Sequence, residues 1–148
     1  MFTVYDFVKE SNRIENIDRE PSQAELDEHD RFVMLDTVTL DDLVQFVSVY
    51  QPGAVLRDRP GLDVRVGNHL PPRGGADIKT ALEKLLTDMR DPYTTHIKYE
   101  TLHPFTDGNG RSGRALWAWQ MTQVQGGTPL GFLHQFYYQS LSGARIAL

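Results

Sequence analysis

The stretch His103-Pro104-Phe105-Thr106-Asp107-Gly108-Asn109-Gly110-Arg111-Ser112-Gly113-Arg114 decides how the rest of this chain is read. It puts an imidazole, a carboxylate, a glycine-rich turn and two guanidinium groups on one loop-to-helix junction. Gly108 and Gly110 let the backbone turn sharply and come close to a ligand. A helix beginning at Gly110 or Arg111 leaves its first amides without partners inside the helix. Those amides and the positive end of the helix dipole together favour an anion. Arg111 and Arg114, three apart, share a helix face and offer several donors each to phosphate oxygens. Asp107 would repel phosphate at the mouth of such a site. Mg2+ resolves that conflict, because it takes one or two carboxylates together with substrate phosphates. His103 ends the preceding helix, where its imidazole can accept a proton from an attacking hydroxyl near neutral pH. A single His-Pro, a single DGNG turn or a single arginine pair has an ordinary structural explanation. The joint spacing does not.

Other motifs fail on inspection. The phosphate loop GxxxxGK[ST] and the zinc helix HExxH are absent. Asp107-Gly108-Asn109 begins like a calcium loop, but Ser112 stands where that loop needs glycine and Ala118 where it needs its bidentate glutamate.

Working outward, 148 residues suit one domain with a real core. A net charge of −5 argues against nucleic-acid binding, which draws on a basic surface. The chain has no cysteine, which excludes disulfides, thiolate zinc sites and a thiol nucleophile. No signal peptide opens it and no apolar run approaches a membrane span, so a cytoplasmic, non-membrane setting is expected. No internal repeat or low-complexity tract interrupts it.

Periodicity predicts a short helix over 2–14 with Phe2, Tyr5, Val8 and Ile14 on its apolar side. Ser22 and Glu25 form a capping box for a helix to about Asp36, carrying Leu26, Phe32, Val33 and Leu35. Thr39 caps another, with Leu40, Leu43, Val44, Phe46 and Val47 inward, ended by Pro52-Gly53. Val55-Leu56-Arg57 and Val64-Arg65-Val66 read as two short strands about the turn Arg59-Pro60-Gly61. A strongly periodic helix spans Asp77 to about Arg90. Pro92 begins the next, to about Leu102. The helix after the DGNG turn runs to Gln125, where Gly126-Gly127 stops it. A last helix covers Leu133 to Leu141, with Phe136-Tyr137-Tyr138 assigned to the core. The fold class is mainly α with one small β-hairpin.

The twelve-residue stretch resembles the signature of the Fic domain family, HxFx[DE]GNGRxxR, at every specified position. His96-Ile97-Lys98-Tyr99-Glu100 resembles that family's entry helix. Val64-Arg65-Val66-Gly67 with Pro71-Pro72 resembles its flap hairpin. The resemblance covers roughly residues 2–140. It implies a single Fic domain over 1–148, with an inhibitory helix region at 1–20, a flap at 54–72 and a catalytic helix-loop-helix at 93–125. It implies a protein adenylyltransferase that moves AMP from ATP to a Ser, Thr or Tyr hydroxyl of a target protein and releases pyrophosphate. His103 would be the general base and Asp107 the Mg2+ ligand. Gly108, Asn109 and Gly110 would cradle the α- and β-phosphates. Arg111 would contact phosphates, Arg114 would hold the γ-phosphate, and Phe105 would anchor the loop from the core. Flap residues Val64, Arg65, Val66 and Gly67 would pair with an extended target segment. His69 carries no assigned role.

Ser11-Asn12-Arg13-Ile14-Glu15-Asn16 resembles the family's inhibitory motif [ST]xxxE[GN]. Ser11 and Glu15 lie one turn apart on one helix face, and the resemblance implies that Glu15 pairs with Arg114 in the place of the γ-phosphate. Several activities stay open under the same resemblance: removal of AMP by hydrolysis, transfer of UMP or phosphocholine, phosphorylation, a toxin with a separate antitoxin, or a non-catalytic nucleotide-binding module. Gly110, which the phosphorylating relatives replace by lysine, favours AMP transfer. Self-association is a further possibility that the resemblance raises.

Overall fold

The computed structural model describes residues 3–125. Six helices lie among them: α1 (Val4–Ile14), α2 (Gln23–Val33), α3 (Leu40–Tyr50), α4 (Ala76–Thr87), α5 (Pro92–Leu102) and α6 (Asn109–Gln125). The helix expected over 133–141, the Gly126-Gly127 stop, Phe2 and Phe136-Tyr137-Tyr138 lie outside the described residues. No described helix is long and apolar enough to cross a membrane.

Local chemistry starts the helices, at Ser22, Thr39 and Pro92 as expected and at Thr3 and Asp91 through caps that were not expected. Thr3 with Asp6, Ser22 with Glu25 and Thr39 with Asp42 each form a reciprocal capping box, and Asp91 caps α5 just before Pro92. The ends differ more. α2 stops at Val33 and α4 at Thr87, whereas α6 begins one residue early, at Asn109.

α6 is the central element and packs on α1, α2, α3 and α5. The core gathers Phe32, Leu43, Phe46, Leu82, Tyr99, Phe105, Leu116 and Trp119. Within it the Phe46 and Tyr50 rings stack at 4.1 Å. α5 approaches α6 closely at Gly113, where a Cβ would strike the Glu100 carboxylate and lie 2.9 Å from the Tyr99 ring. Tyr99 and Ser112 hydroxyls meet at 2.7 Å across the same contact. Two expected apolar faces are rotated slightly. On α1, Phe7 is buried and Tyr5 is exposed; on α3, Val44 is exposed. On α2 the buried side is largely polar, with Glu25, Glu28 and His29 beside Phe32.

The hairpin expected in 54–72 does not form, and no β-strand occurs among the described residues. The backbone of residues 55–57 is taken instead by the signature loop. Arg57 N donates to the Pro104 carbonyl (2.8 Å) and Thr106 N to the Val55 carbonyl (2.9 Å), and Leu56 bridges antiparallel to Phe105. With those groups engaged, residues 64–66 do not pair with 55–57. Val66 closes a turn on His69 through two backbone bonds of 3.0 and 2.8 Å, with Gly67 at φ 57°. His69 is half-buried, and its Nε2 lies 2.9 Å from the Thr101 carbonyl.

Burial against Phe7, 5.2 Å away ring to ring, pushes the His29 imidazole down to about 4. Above pH about 6.5 both the folded and unfolded states are neutral there, and the full stability is present. As pH falls from about 6.5 to about 4, the unfolded chain binds a proton that the folded chain refuses. Stability then falls by on the order of 3 kcal/mol. The wild type is therefore expected to lose melting temperature across this window more steeply than His29→Leu. Parallel slopes for the two proteins would refute the assignment.

Candidate active site

Among the described residues, eleven from four parts of the chain surround one cavity of about 390 Å3: Glu15 and Ile17, Gln51, Arg65 and Val66, and six residues of the signature from His103 to Arg111. A smaller cavity between α4 and α5 gathers Lys84, Arg90 and Lys98. It includes none of the signature residues.

The base of the larger cavity is built by the backbone. His103 caps the C-terminus of α5 in the left-handed region, at φ 52° and ψ 63°. A non-glycine residue held there costs on the order of 1–3 kcal/mol. The Phe105 ring, 1% exposed, is sunk in the core as expected. Gly108 turns the loop at φ 78° with Gln51 Cβ only 3.2 Å from where its own Cβ would stand. The Ser112 amide donates to the Gly108 carbonyl, so Gly108 is the residue before the first turn. The amides of Asn109, Gly110 and Arg111 therefore lack intrahelical acceptors.

Asn109 departs from its expected role. Its side chain accepts from Phe105 N and donates to Phe105 O, both at 2.8 Å, and is buried. The carboxamide shapes the loop, which leaves the main-chain amide as the group that can meet a phosphate. Asn109→Ala is expected to lower stability by about 2–3 kcal/mol, since it strands two buried backbone groups. A thermal denaturation curve unchanged by this substitution would restore a ligand-only role.

Arg111 and Arg114 are 3% and 0% exposed. Arg111 Nη1 donates to the Tyr50 carbonyl at 2.9 Å and Nη2 to the Gln51 side-chain oxygen. Its buried Nε has no hydrogen-bond partner among the described residues. Burial pushes this guanidinium below its usual range, while Glu15 and Asp107 oppose the shift. Gln51 was not foreseen as a site residue; the only sign was Pro52-Gly53, which puts it at the end of α3.

Arg114 meets the N-terminal motif. Its Nε donates to Ser11 Oγ (2.8 Å), and its Nη2 donates to the Ser11 carbonyl (2.9 Å) and to Glu15 Oε2 (2.7 Å). The same Glu15 oxygen lies so near the Gly110 Cα that a Cβ there would clash with it. A carboxylate thus sits over the first turn of α6, the position favoured by an anion. Asn16 explains how α1 delivers it. At φ 63° Asn16 ends the helix in the left-handed conformation, with Asn16 N bonded to Arg13 O and Ile17 N to Asn12 O. This pair of bonds is a Schellman ending, which admits Gly or Asn readily and few other residues. α1 is moored in turn by Asn12 Nδ2, which donates to Glu25 Oε2 at 3.3 Å. Burial alone would raise the Glu25 carboxyl, but Arg19 and Ser22 outweigh it and hold it below the usual range.

Asp107 is exposed at the rim, with Oδ1 accepting from Gly108 N at 2.8 Å. No group of three or more acidic, His or Cys side chains that could hold a metal occurs among the described residues. This donor set does not make a protein cage for a cation. A lone rim carboxylate could supply one ligand to an ion such as Mg2+, which commonly takes one or two carboxylates. Of the four flap residues, Arg65 and Val66 line the cavity and Val64 and Gly67 do not.

A family model described as the Fic/DOC family matches residues 35–121. No curated protein matches the chain.

Proposed function

Because the chain belongs to the Fic/DOC family, whose members are typically transferases acting on proteins, we propose that it transfers AMP from ATP to a hydroxyl of a target protein and is restrained by Glu15. The observation that carries this reading is the convergence of His103, Asp107, the α6 amides and Arg111 on one cavity that also receives the Glu15 carboxylate. The target oxygen attacks the α-phosphorus, the bond to the β-phosphate oxygen breaks, and pyrophosphate leaves. His103 takes the hydroxyl proton, and the α6 amides and Arg111 Nε stabilise charge on the phosphates. Mg2+ held by Asp107 would neutralise the phosphate charge. Arg65 and Val66 would border the target segment near His103.

Glu15 restrains the reaction by competing for Arg114. One guanidinium fork does not serve a carboxylate and a γ-phosphate together, and a displaced triphosphate leaves the α-phosphorus out of line. Intact-mass analysis of Glu15→Gly after incubation with ATP and Mg2+, with and without candidate target proteins, tests the reading. An added AMP mass on either protein supports it. Use of UTP in preference to ATP would redirect the donor, and no added mass under any nucleotide would reject the transfer.

Removal of AMP is a second reading, favoured by the Glu15 carboxylate on the cavity wall, where it could orient water. AMP-modified substrate losing its label with wild type but not with Glu15→Gly would select it.

A further inference from the structure

Arg57 is fully buried, and among the described residues no carboxylate lies within ion-pair distance of it. Its guanidinium serves carbonyls alone. Nε donates to His103 O at 2.7 Å and Nη2 to Leu102 O at 2.9 Å. Nη1 donates to Leu62 O at 3.1 Å and Pro72 O at 2.8 Å. The Arg57 main-chain amide donates to Pro104 O at 2.8 Å. One residue therefore holds the three consecutive carbonyls of Leu102, His103 and Pro104. Two of these end α5, where carbonyls lack intrahelical donors and the dipole favours a cation.

We propose that Arg57 is a positioning residue for the His103 base, and that it ties this base to the loop carrying Arg65 and Val66. The inference rests on the transferase reading above. His103 stays in its left-handed conformation because a planar fork reaches both its carbonyl and its neighbour's. Lysine carries the charge but not the fork. The Leu62 and Pro72 bonds brace the two ends of the segment that borders the cavity, so one guanidinium fixes both the base and the cavity wall beside it.

The test uses Arg57→Lys and Arg57→Gln in the full chain, read in two ways. In histidine-labelled protein, the His103 imidazole signal is identified by its loss in His103→Ala and titrated with pH. Both substitutions are expected to move the His103 signal and its titration, and to leave those of buried His29 and His96 in place. In the Glu15→Gly background, both are expected to lower kcat by about tenfold or more while KM for ATP stays within about threefold. Lysine is expected to retain more activity than glutamine. An unmoved His103 titration, or a kcat unchanged beside an active Glu15→Gly parent, would overturn the proposal. Loss of the cooperative fold in both variants would also overturn it, since Arg57 would then be a general scaffold residue. Should Glu15→Gly itself transfer nothing, the transferase reading fails and the titration alone decides the role of Arg57.

Discussion

Replacing His103 by alanine is expected to lower AMP transfer by about 10²- to 10⁴-fold, the range removed with a general base, and to leave ATP affinity within about threefold. The separation follows from where the groups come from. The proposed anion site draws on the α6 amides and Arg111, and Arg111 is fixed by Tyr50 and Gln51 at the end of α3. None of these depends on the imidazole. The loop also keeps its shape without it, because Asn109 bonds both polar backbone groups of Phe105. Arg57 reaches the backbone carbonyl at position 103, which alanine retains. Rates measured in the Glu15→Gly background with α-labelled ATP, beside calorimetric nucleotide binding, give both quantities. Undiminished transfer removes His103 from the role of base. Affinity that falls together with rate assigns it to binding.

Glu15→Gly carries the second large effect, a rise in transfer of about 10²-fold, the order expected when a misplaced reacting group is returned to line. The substitution acts locally. Residues Asn16 and Ile17 end α1 through backbone bonds, so glycine at 15 leaves the helix end intact. Ser11 still engages Arg114 Nε and Nη2, so the arginine stays in place with its carboxylate partner removed. Under the transferase reading, a terminal phosphate then meets the Arg114 guanidinium in place of the Glu15 carboxylate. A wild type as active as the variant would show that the Glu15–Arg114 contact is structural only.

The site was legible in the sequence to the extent that its groups are contiguous. His103, Asp107, the glycines and the arginines lie within twelve residues, and a loop-to-helix junction brings them together without help from distant elements. The Ser22–Glu25 capping box and the Thr39 cap were legible for the same reason, since each lies within four residues, whereas the Thr3–Asp6 box was not foreseen. The Ser11–Glu15 face became readable only beside the signature, because a polar helical face alone has an ordinary reading. What failed was non-local. Residues 55–57 looked ready to pair with 64–66, and alternation alone cannot tell a strand which partner it has. Their backbone partner is the Pro104–Thr106 segment, some fifty positions away. Arg57 stood unnoticed because arginine is rarely expected at full burial, and its partners are carbonyls, which leave no trace in side-chain identity. The polar inner face of α2 was hidden likewise: Glu25 and Glu28 are buried only because Arg19 and Arg31 come to meet them.

The contacts from Ser11 and Glu15 to Arg114 span 103 and 99 positions. Closing so long a loop costs entropy, which the packing of α1 against α6 offsets. Arg114 lies on α6, whose docking against α1, α2, α3 and α5 completes the core. Because both partners belong to one chain, the Glu15–Arg114 contact does not depend on protein concentration and holds equally in dilute and concentrated solution.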